Sequence, residues 1–151
     1  MAVADAVDQL LQHQHEMIRK KAVIVMLKFN KIQPIENFEV KMKRALCDRD
    51  ASVMAASLNY FLEEVKKRPA DFKDLVNPFL VILKQVIDHR LPRDFDYHRM
   101  PGPWIQSKLL EILAALGAED QEASGKMYET LNIVIKKADD MGTNMGYALV
   151  Y

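Results

Sequence analysis

Residues Ala45–Pro69 read ALCDRDASVMAASLNYFLEEVKKRP, and the spacing within them decides the fold. Asp50 has a short carboxylate that can accept a hydrogen bond from a first-turn amide, the preferred way to open a helix. After it, Val53, Ser57, Leu58, Phe61, Leu62 and Val65 recur at three- and four-residue intervals and share one face of a helix of about five turns. Lys66, Lys67 and Arg68 bring positive charge to the negative end of the helix dipole, and Pro69, with no amide hydrogen, ends it. The stretch has no nucleophile beside a base and no set of metal ligands. It is an amphipathic helix whose apolar face needs cover.

The same grammar runs outward in both directions. From Ala2 to Gln12, Val3, Ala6, Val7, Leu10 and Leu11 predict a short amphipathic helix, followed by a polar break at His13 to His15. Glu16 to Asn30 puts Met17, Ile18, Ala22, Val25, Met26 and Phe29 on one stripe, which Val23, Ile24 and Leu27 widen, so this helix is expected to be covered on nearly all sides. Past a turn at Ile32 and Pro34, a weaker helix holds Ile35, Phe38, Val40, Met42, Ala45 and Leu46. Beyond Pro69, Asp71 opens a helix with Phe72, Leu75, Val76, Phe79, Leu80, Leu83, Val86 and Ile87. Pro78 inside it predicts a kink or a late start, with residues 71–77 as a separate turn.

Leu91 to Pro103 is the longest expected loop. Trp104, Ile105, Leu109, Ile112, Leu113 and Leu116 then form a stripe stopped by Gly117 at a C-cap position, and Asp120 or Glu119 opens a helix carrying Met127, Tyr128, Leu131, Val134, Ile135 and Ala138. Thr143 or Asn144 is expected to cap one more.

Ile18, Val53, Ile105 and Met145 each have an apolar or small residue four places on, namely Ala22, Ser57, Leu109 and Leu149. Their offsets of 35, 52 and 40 residues match HEAT, armadillo or tetratricopeptide units except where the proline-rich loop intervenes. The expected architecture is an all-α, HEAT/armadillo-like superhelix, a solenoid segment of about three and a half helix pairs, cut at both ends and inclined to stack end to end. A single irregular helical bundle is the alternative.

Composition sets the class. At 151 residues the chain suits one domain. Its 21 basic and 21 acidic side chains cancel, the balance of a cytosolic protein with no generalised nucleic-acid binding. Cys47 is the single cysteine, and no apolar run of about 18 residues occurs, so membrane contact is expected to be peripheral.

Three runs carry a family resemblance: RKKAVIVMLKFNKIQP from Arg19 to Pro34, KRALCDRDASVMAASL from Lys43 to Leu58, and YHRMPGPWIQSKLLEILAALG from Tyr97 to Gly117. With them the chain resembles the N-terminal trunk of the large chains of the clathrin-adaptor family, the adaptins, most closely the epsilon class of the fourth adaptor complex. LKQV at Leu83 to Val86 and the following LPRDFDYH are also epsilon-like. Gly102 between prolines, where the family has a larger residue, and Met54, where HEAT units often hold Arg, depart from the pattern. The resemblance implies a non-enzymatic slice of a longer trunk. The parent chain would join a second large chain, a medium chain and a small chain to sort cargo at the trans-Golgi network or endosomes, without clathrin, and would meet an Arf-type GTPase at the membrane. A different HEAT scaffold or a small helical-bundle enzyme are the competing readings.

No cofactor, metal or catalytic set is expected. His13, His15 and Glu16 read as a helix junction, because histidines two apart on a helix face different ways. His89 and His98, with Asp94 and Asp96, read as solvated loop polars, and Cys47 as a small buried residue. Arg19, Lys20, Lys21, Lys41, Lys43 and Arg44 are the candidates for binding an acidic partner or anionic lipid, with Lys66, Lys67 and Arg68 as a third basic cluster. Trp104 reads first as a packing anchor and second as an interface hot spot.

Overall fold

A computed structural model describes residues 2–144 together with Gly146 and Ala148. Among the described residues it places seven α-helices and no strand. The helices are α1 (Ala2–Leu10), α2 (Glu16–Ile32), α3 (Phe38–Leu46), α4 (Ala51–Lys67), α5 (Val76–Ile87), α6 (Pro103–Gly117) and α7 (Gln121–Asp140). The all-α fold expected from the periodicity is the fold adopted. Ile18, Val53 and Ile105 fall on α2, α4 and α6, so the repeat marks every second helix. Its fourth position, Met145 with Leu149, lies outside the described residues. Of the helix expected after Thr143, Asn144, Gly146 and Ala148 are helical, and the Thr143 hydroxyl accepts from the Gly146 amide at 3.1 Å, as an N-cap does.

The chain divides into two compact units, one ending at Phe61 and the other beginning at Leu62. In the first, Ala22, Val23 and Met26 of α2 are buried, as are Phe38, Met42, Ala45 and Leu46 of α3 and Val53, Leu58 and Phe61 of α4. Phe38 and Tyr60 meet edge to face at 5.2 Å, joining α3 to α4. Asp50 opens α4 as expected: its Oδ1 accepts from the Ser52 amide at 2.9 Å and from the Ser52 hydroxyl.

Two expectations in this unit are corrected. Met17, Ile24, Val25 and Phe29 are exposed, so α2 is not wrapped on all sides. Its inner face runs through Arg19, Ala22, Val23 and Met26, a register fixed by a buried charge on α2. Val40 is 65% exposed because it lies two residues from both Phe38 and Met42, roughly half a helical turn from the face they bury.

In the second unit α5, α6 and α7 pack pairwise. Phe79, Leu83 and Val86 meet a core built with Leu109, Ile112, Leu113 and Leu116 of α6 and Met127, Val134 and Ala138 of α7. Tyr128 and Ile135, expected on the inner stripe of α7, are 68% and 49% exposed. A 3-10 stretch, Pro69–Leu75, precedes α5, which begins at Val76, so Pro78 sits in the first turn where its missing amide hydrogen has no partner to lose. This is the late start. At the other end of α5, His89 is left-handed at φ 55°, and its amide and that of Arg90 bond back to Val86 and Gln85 in the pattern of a Schellman C-cap.

Gly117 does not terminate α6 by conformation: the left-handed residue there is Glu119, at φ 56°. Gly117 is the last helical residue, and a Cβ on it would lie 3.3 Å from Met127 Sδ, so its value is close packing of α6 on α7. Asp120, one of the two expected caps, starts α7 by accepting from the Ala123 amide at 2.8 Å.

Candidate functional site

The polar chemistry of the first unit centres on Arg19. Its side chain arrives where an apolar stripe would have a leucine, one turn before Ala22 and Val23, and the residue is only 5% exposed. Burying a guanidinium is costly unless its donors are used. Nε and Nη2 donate to the two carboxylate oxygens of Asp48 at 2.8 Å each, and Nη1 donates to the His13 and Gln14 carbonyls at 2.9 Å. Asp48 Oδ1 also accepts from the Asp50 amide at 2.8 Å. A hydrogen-bonded chain therefore runs from α2 through Asp48, two residues past the end of α3, to the cap of α4. Burial pushes the Asp48 carboxyl up, but the Arg19 hydrogen bonds, the Asp50 amide and the Arg19 and Arg49 charges outweigh it and hold the group below the usual carboxylate range.

Arg19 is therefore corrected from surface candidate to structural residue. Of the other five candidates, Lys41 pairs with Asp8 at 3.2 Å and Lys43 with Glu39 at 3.2 Å, whereas Lys20 is half-buried and Lys21 and Arg44 are exposed. A cleft of about 600 Å³ brings Arg19, Lys41 and Arg44 together with Arg49, Asp8 and Asp48, and leaves out Lys20, Lys21 and Lys43. Arg49, which donates to the Gln14 carbonyl at 3.2 Å, is the member the sequence reading missed. Because Asp8 and Asp48 sit among these cations, the cleft is mixed in charge. Cys47 borders it and is exposed, a correction of the buried cysteine expected, since it caps α3 beyond the last core residue, Leu46.

The third basic cluster is consumed internally. Lys66 bonds Glu111 at 2.8 Å, Lys67 bonds Glu64 at 2.7 Å, and Arg68 reaches Glu64 and Asp71 at 3.1 Å while lying over the Phe72 ring. The histidines are local too. His13 Nδ1 accepts from the His15 amide and His15 Nδ1 from the Met17 amide, which makes His15 the cap of α2. His89 Nδ1 lies 3.7 Å from Asp96, whereas His98 packs its ring on Tyr97 at 4.3 Å. Among the described residues no three of His, Cys, Asp and Glu gather as a metal site.

Trp104 is 59% exposed, so it is not a packing anchor. The anchors of the α5–α6 connection are Met100, Pro101, Gly102, Pro103 and Ile105, all buried, and the buried Gln106 amide donates to the Pro101 carbonyl. Gly102 is required twice: its φ is 46°, and a Cβ would sit 3.1 Å from Val86 Cγ1. No helix among the described residues is long and apolar enough to cross a membrane.

The whole chain, residues 1–151, matches the family model of the adaptin N terminal region. It is 41% identical over 152 residues to human AP-4 complex subunit epsilon-1, covering 99% of this chain and 13% of that protein. Identity to the AP-4 complex subunit epsilon of Arabidopsis thaliana is also 41%, covering 99% of this chain and 16% of the relative. AP-1 complex subunit gamma of Dictyostelium discoideum is 27% identical, covering 99% of the chain and 17% of the relative. The chain thus spans between 13% and 17% of the length of these relatives. A match from the first residue to the last, on helices whose polar groups fasten one helix to the next, makes this chain a member of the adaptin family, within its N-terminal region.

Proposed function

We propose that this chain is a non-enzymatic scaffold segment of an adaptor-complex large subunit, acting in vesicle-mediated intracellular protein transport. In this reading its parent chain assembles with a second large chain, a medium chain and a small chain, and the complex sorts cargo at the trans-Golgi network or endosomes as a peripheral coat on the cytoplasmic face. An Arf-type GTPase at the membrane is its further partner. The observation that carries the reading is 41% identity along 99% of the chain to proteins named as epsilon subunits of the AP-4 complex. The side-chain chemistry supports it. Arg19, Lys73 and Lys137 are spent holding helices together, as suits a rigid element that binds by shape.

The test is co-expression of the full-length parent chain with candidate second large, medium and small chains, followed by affinity purification. A stoichiometric four-chain complex is expected, with loss of at least one chain when exposed residues of this segment are replaced. A parent chain that purifies alone under all pairings would overturn the reading.

A further inference from the structure

We propose that the cleft bounded by α1, α2 and the α3–α4 turn binds a phosphorylated side chain of a protein partner, with Arg44 and Arg49 holding its dianion. The site rests on the scaffold reading above only in taking its ligand from a protein.

Charge comes first. Four cations line the cleft, Arg19, Lys41, Arg44 and Arg49, against two carboxylates, Asp8 and Asp48. Both acids are already engaged: Asp48 accepts two hydrogen bonds from Arg19, and Asp8 lies 3.2 Å from Lys41. Arg44 makes no ion pair among the described residues. Arg49 spends one nitrogen on the Gln14 carbonyl at 3.2 Å, and its charge helps to keep Asp48 ionised, but it too makes no ion pair there. Asp50 is outside the lining, its Oδ1 committed to the Ser52 amide and hydroxyl, and counting it still leaves the cleft positive. The excess holds on a wider count. Residues 1–61 carry nine basic and seven acidic side chains, although the whole chain is neutral.

Two guanidiniums in excess select the ligand. A phosphomonoester carries close to two negative charges at neutral pH and offers oxygens in the geometry that an arginine fork matches, whereas one carboxylate would neutralise only one of the two. The volume of about 600 Å³ is that of a small-ligand site. Half-buried Leu11 and exposed Val40 line the same cleft, an apolar wall that a bare phosphate ion would leave in water and that the residues beside a phosphorylated side chain cover. A membrane is the poorer match, because anionic headgroups gather on clusters of about 4–8 basic residues, and here two carboxylates stand among four cations.

The frame is also fixed before any ligand arrives. Arg19 ties the α3–α4 turn to α2 through Asp48, and its Nη1 holds the His13 and Gln14 carbonyls of the α1–α2 connection. Arg44, in the last turn of α3, and Arg49, beside Asp48, therefore project from backbone already held in place, which lowers the cost of ordering them on a ligand.

Cys47 lines the cleft, is exposed and is the only cysteine, so its alkylation by iodoacetamide reports on the site. The full chain is titrated by calorimetry with a synthetic peptide holding one phosphoserine between leucines, and with the same peptide carrying serine or glutamate there. The phosphopeptide is expected to bind about tenfold more tightly than the serine version, with glutamate between them, and to slow Cys47 alkylation. Arg44→Gln/Arg49→Gln should bind it about tenfold more weakly with unchanged far-ultraviolet circular dichroism, whereas Lys20→Gln/Lys21→Gln, which removes the same charge outside the cleft, should bind it as the unaltered chain does. Equal affinity for serine and phosphoserine, binding that leaves Cys47 alkylation unchanged, or an equal loss in the two double variants overturns the proposal. So does equal protection of Cys47 by inorganic phosphate at the same concentration, which would assign the cleft to the free anion, or protection by phosphatidylinositol 4-phosphate vesicles and not by the peptide, which would assign it to membranes. The peptides are assayed on this chain alone, so failure here is distinct from failure of the four-chain assembly.

Discussion

In the first unit a guanidinium is sunk beneath α2, with the side chains of Arg19 and Asp48 only 6% and 13% exposed. In the second unit the cations stay at the rim. Lys73 Nζ donates to the Leu116 carbonyl in the last turn of α6 and pairs with Asp120, both at 2.7 Å. Lys137 Nζ donates to the Ile87 carbonyl, the last of α5, and to Asp88, both at 2.9 Å. Each lysine thus joins a helix-end carbonyl, which has no intrahelical partner, to an acid that follows it, and the device appears twice in the second unit, once from the 3-10 stretch before α5 and once from α7. The side chains of these pairs are 31% to 47% exposed. One design desolvates its charges and cannot lose a partner cheaply. The other leaves them hydrated and adds little, because the packing of Leu83, Leu109 and Leu116 already holds the helices.

The sharpest way to break that comparison is Asp48→Ala. It strands the Arg19 guanidinium in the core and removes the acceptor of the Asp50 amide, so the loss should be about 3–5 kcal/mol, read as a fall in the urea midpoint. The paired replacement Arg19→Met/Asp48→Leu should recover most of it, because no unpaired charge remains. A cost for Asp48→Ala below about 1 kcal/mol would mean that the pair behaves like a surface bridge and that the two units are not distinguished by burial.

Acid sharpens the same contrast. Asp48 has a depressed pKa in the folded chain, so its contribution is complete above the unfolded carboxylate value of about 4 and disappears as pH falls through the lower folded value. Asp120 is depressed by the Ala123 amide and then by Lys73, and Asp88 by Lys137, so the second unit loses stability in the same direction. The difference is in salt. Exposed pairs are screened at 1 M ionic strength, where the Debye length is about 3 Å, and a buried bidentate pair is not. Backbone amides of α2, followed by hydrogen exchange below pH 4, should open equally at low and high salt, whereas those of α6 and α7 should show a salt-dependent acid loss. Equal salt dependence in both would contradict the assignment.

What the amino-acid order revealed, and what it concealed, divides along the same line. Asp50, Asp120 and the late start before Pro78 were legible because each is settled by atoms within a few residues. Arg19 was not, because its partner is Asp48, 29 residues away, and a basic triplet looks like a surface until that carboxylate is in place. A signal was present: Arg19, Ala22, Val23 and Met26 keep three- and four-residue spacing, so the arginine stood in core register. Met17, Val25 and Phe29 were misassigned for the same reason, since the buried charge and not the largest apolar count set the rotation of α2. Trp104 misled because size argues for burial, whereas the buried positions around it are Gly102, Pro103 and Ile105, with Gly102 against Val86 and Leu91.

The smallest expected effect tests the rim device itself. Lys73→Met keeps the aliphatic stem that packs along the helices and removes only the ammonium. The Leu116 carbonyl then turns to water, as helix-end carbonyls can, so the loss of that hydrogen bond should cost about 1 kcal/mol or less. Asp120 keeps its bond to the Ala123 amide and α7 keeps its cap. The urea midpoint should therefore fall slightly while the hydrogen-exchange pattern of α7 holds. A loss as large as that of Asp48→Ala would show that the lysine carries the junction of α6 with α7, and that exposure is the wrong variable by which to rank the two fastenings.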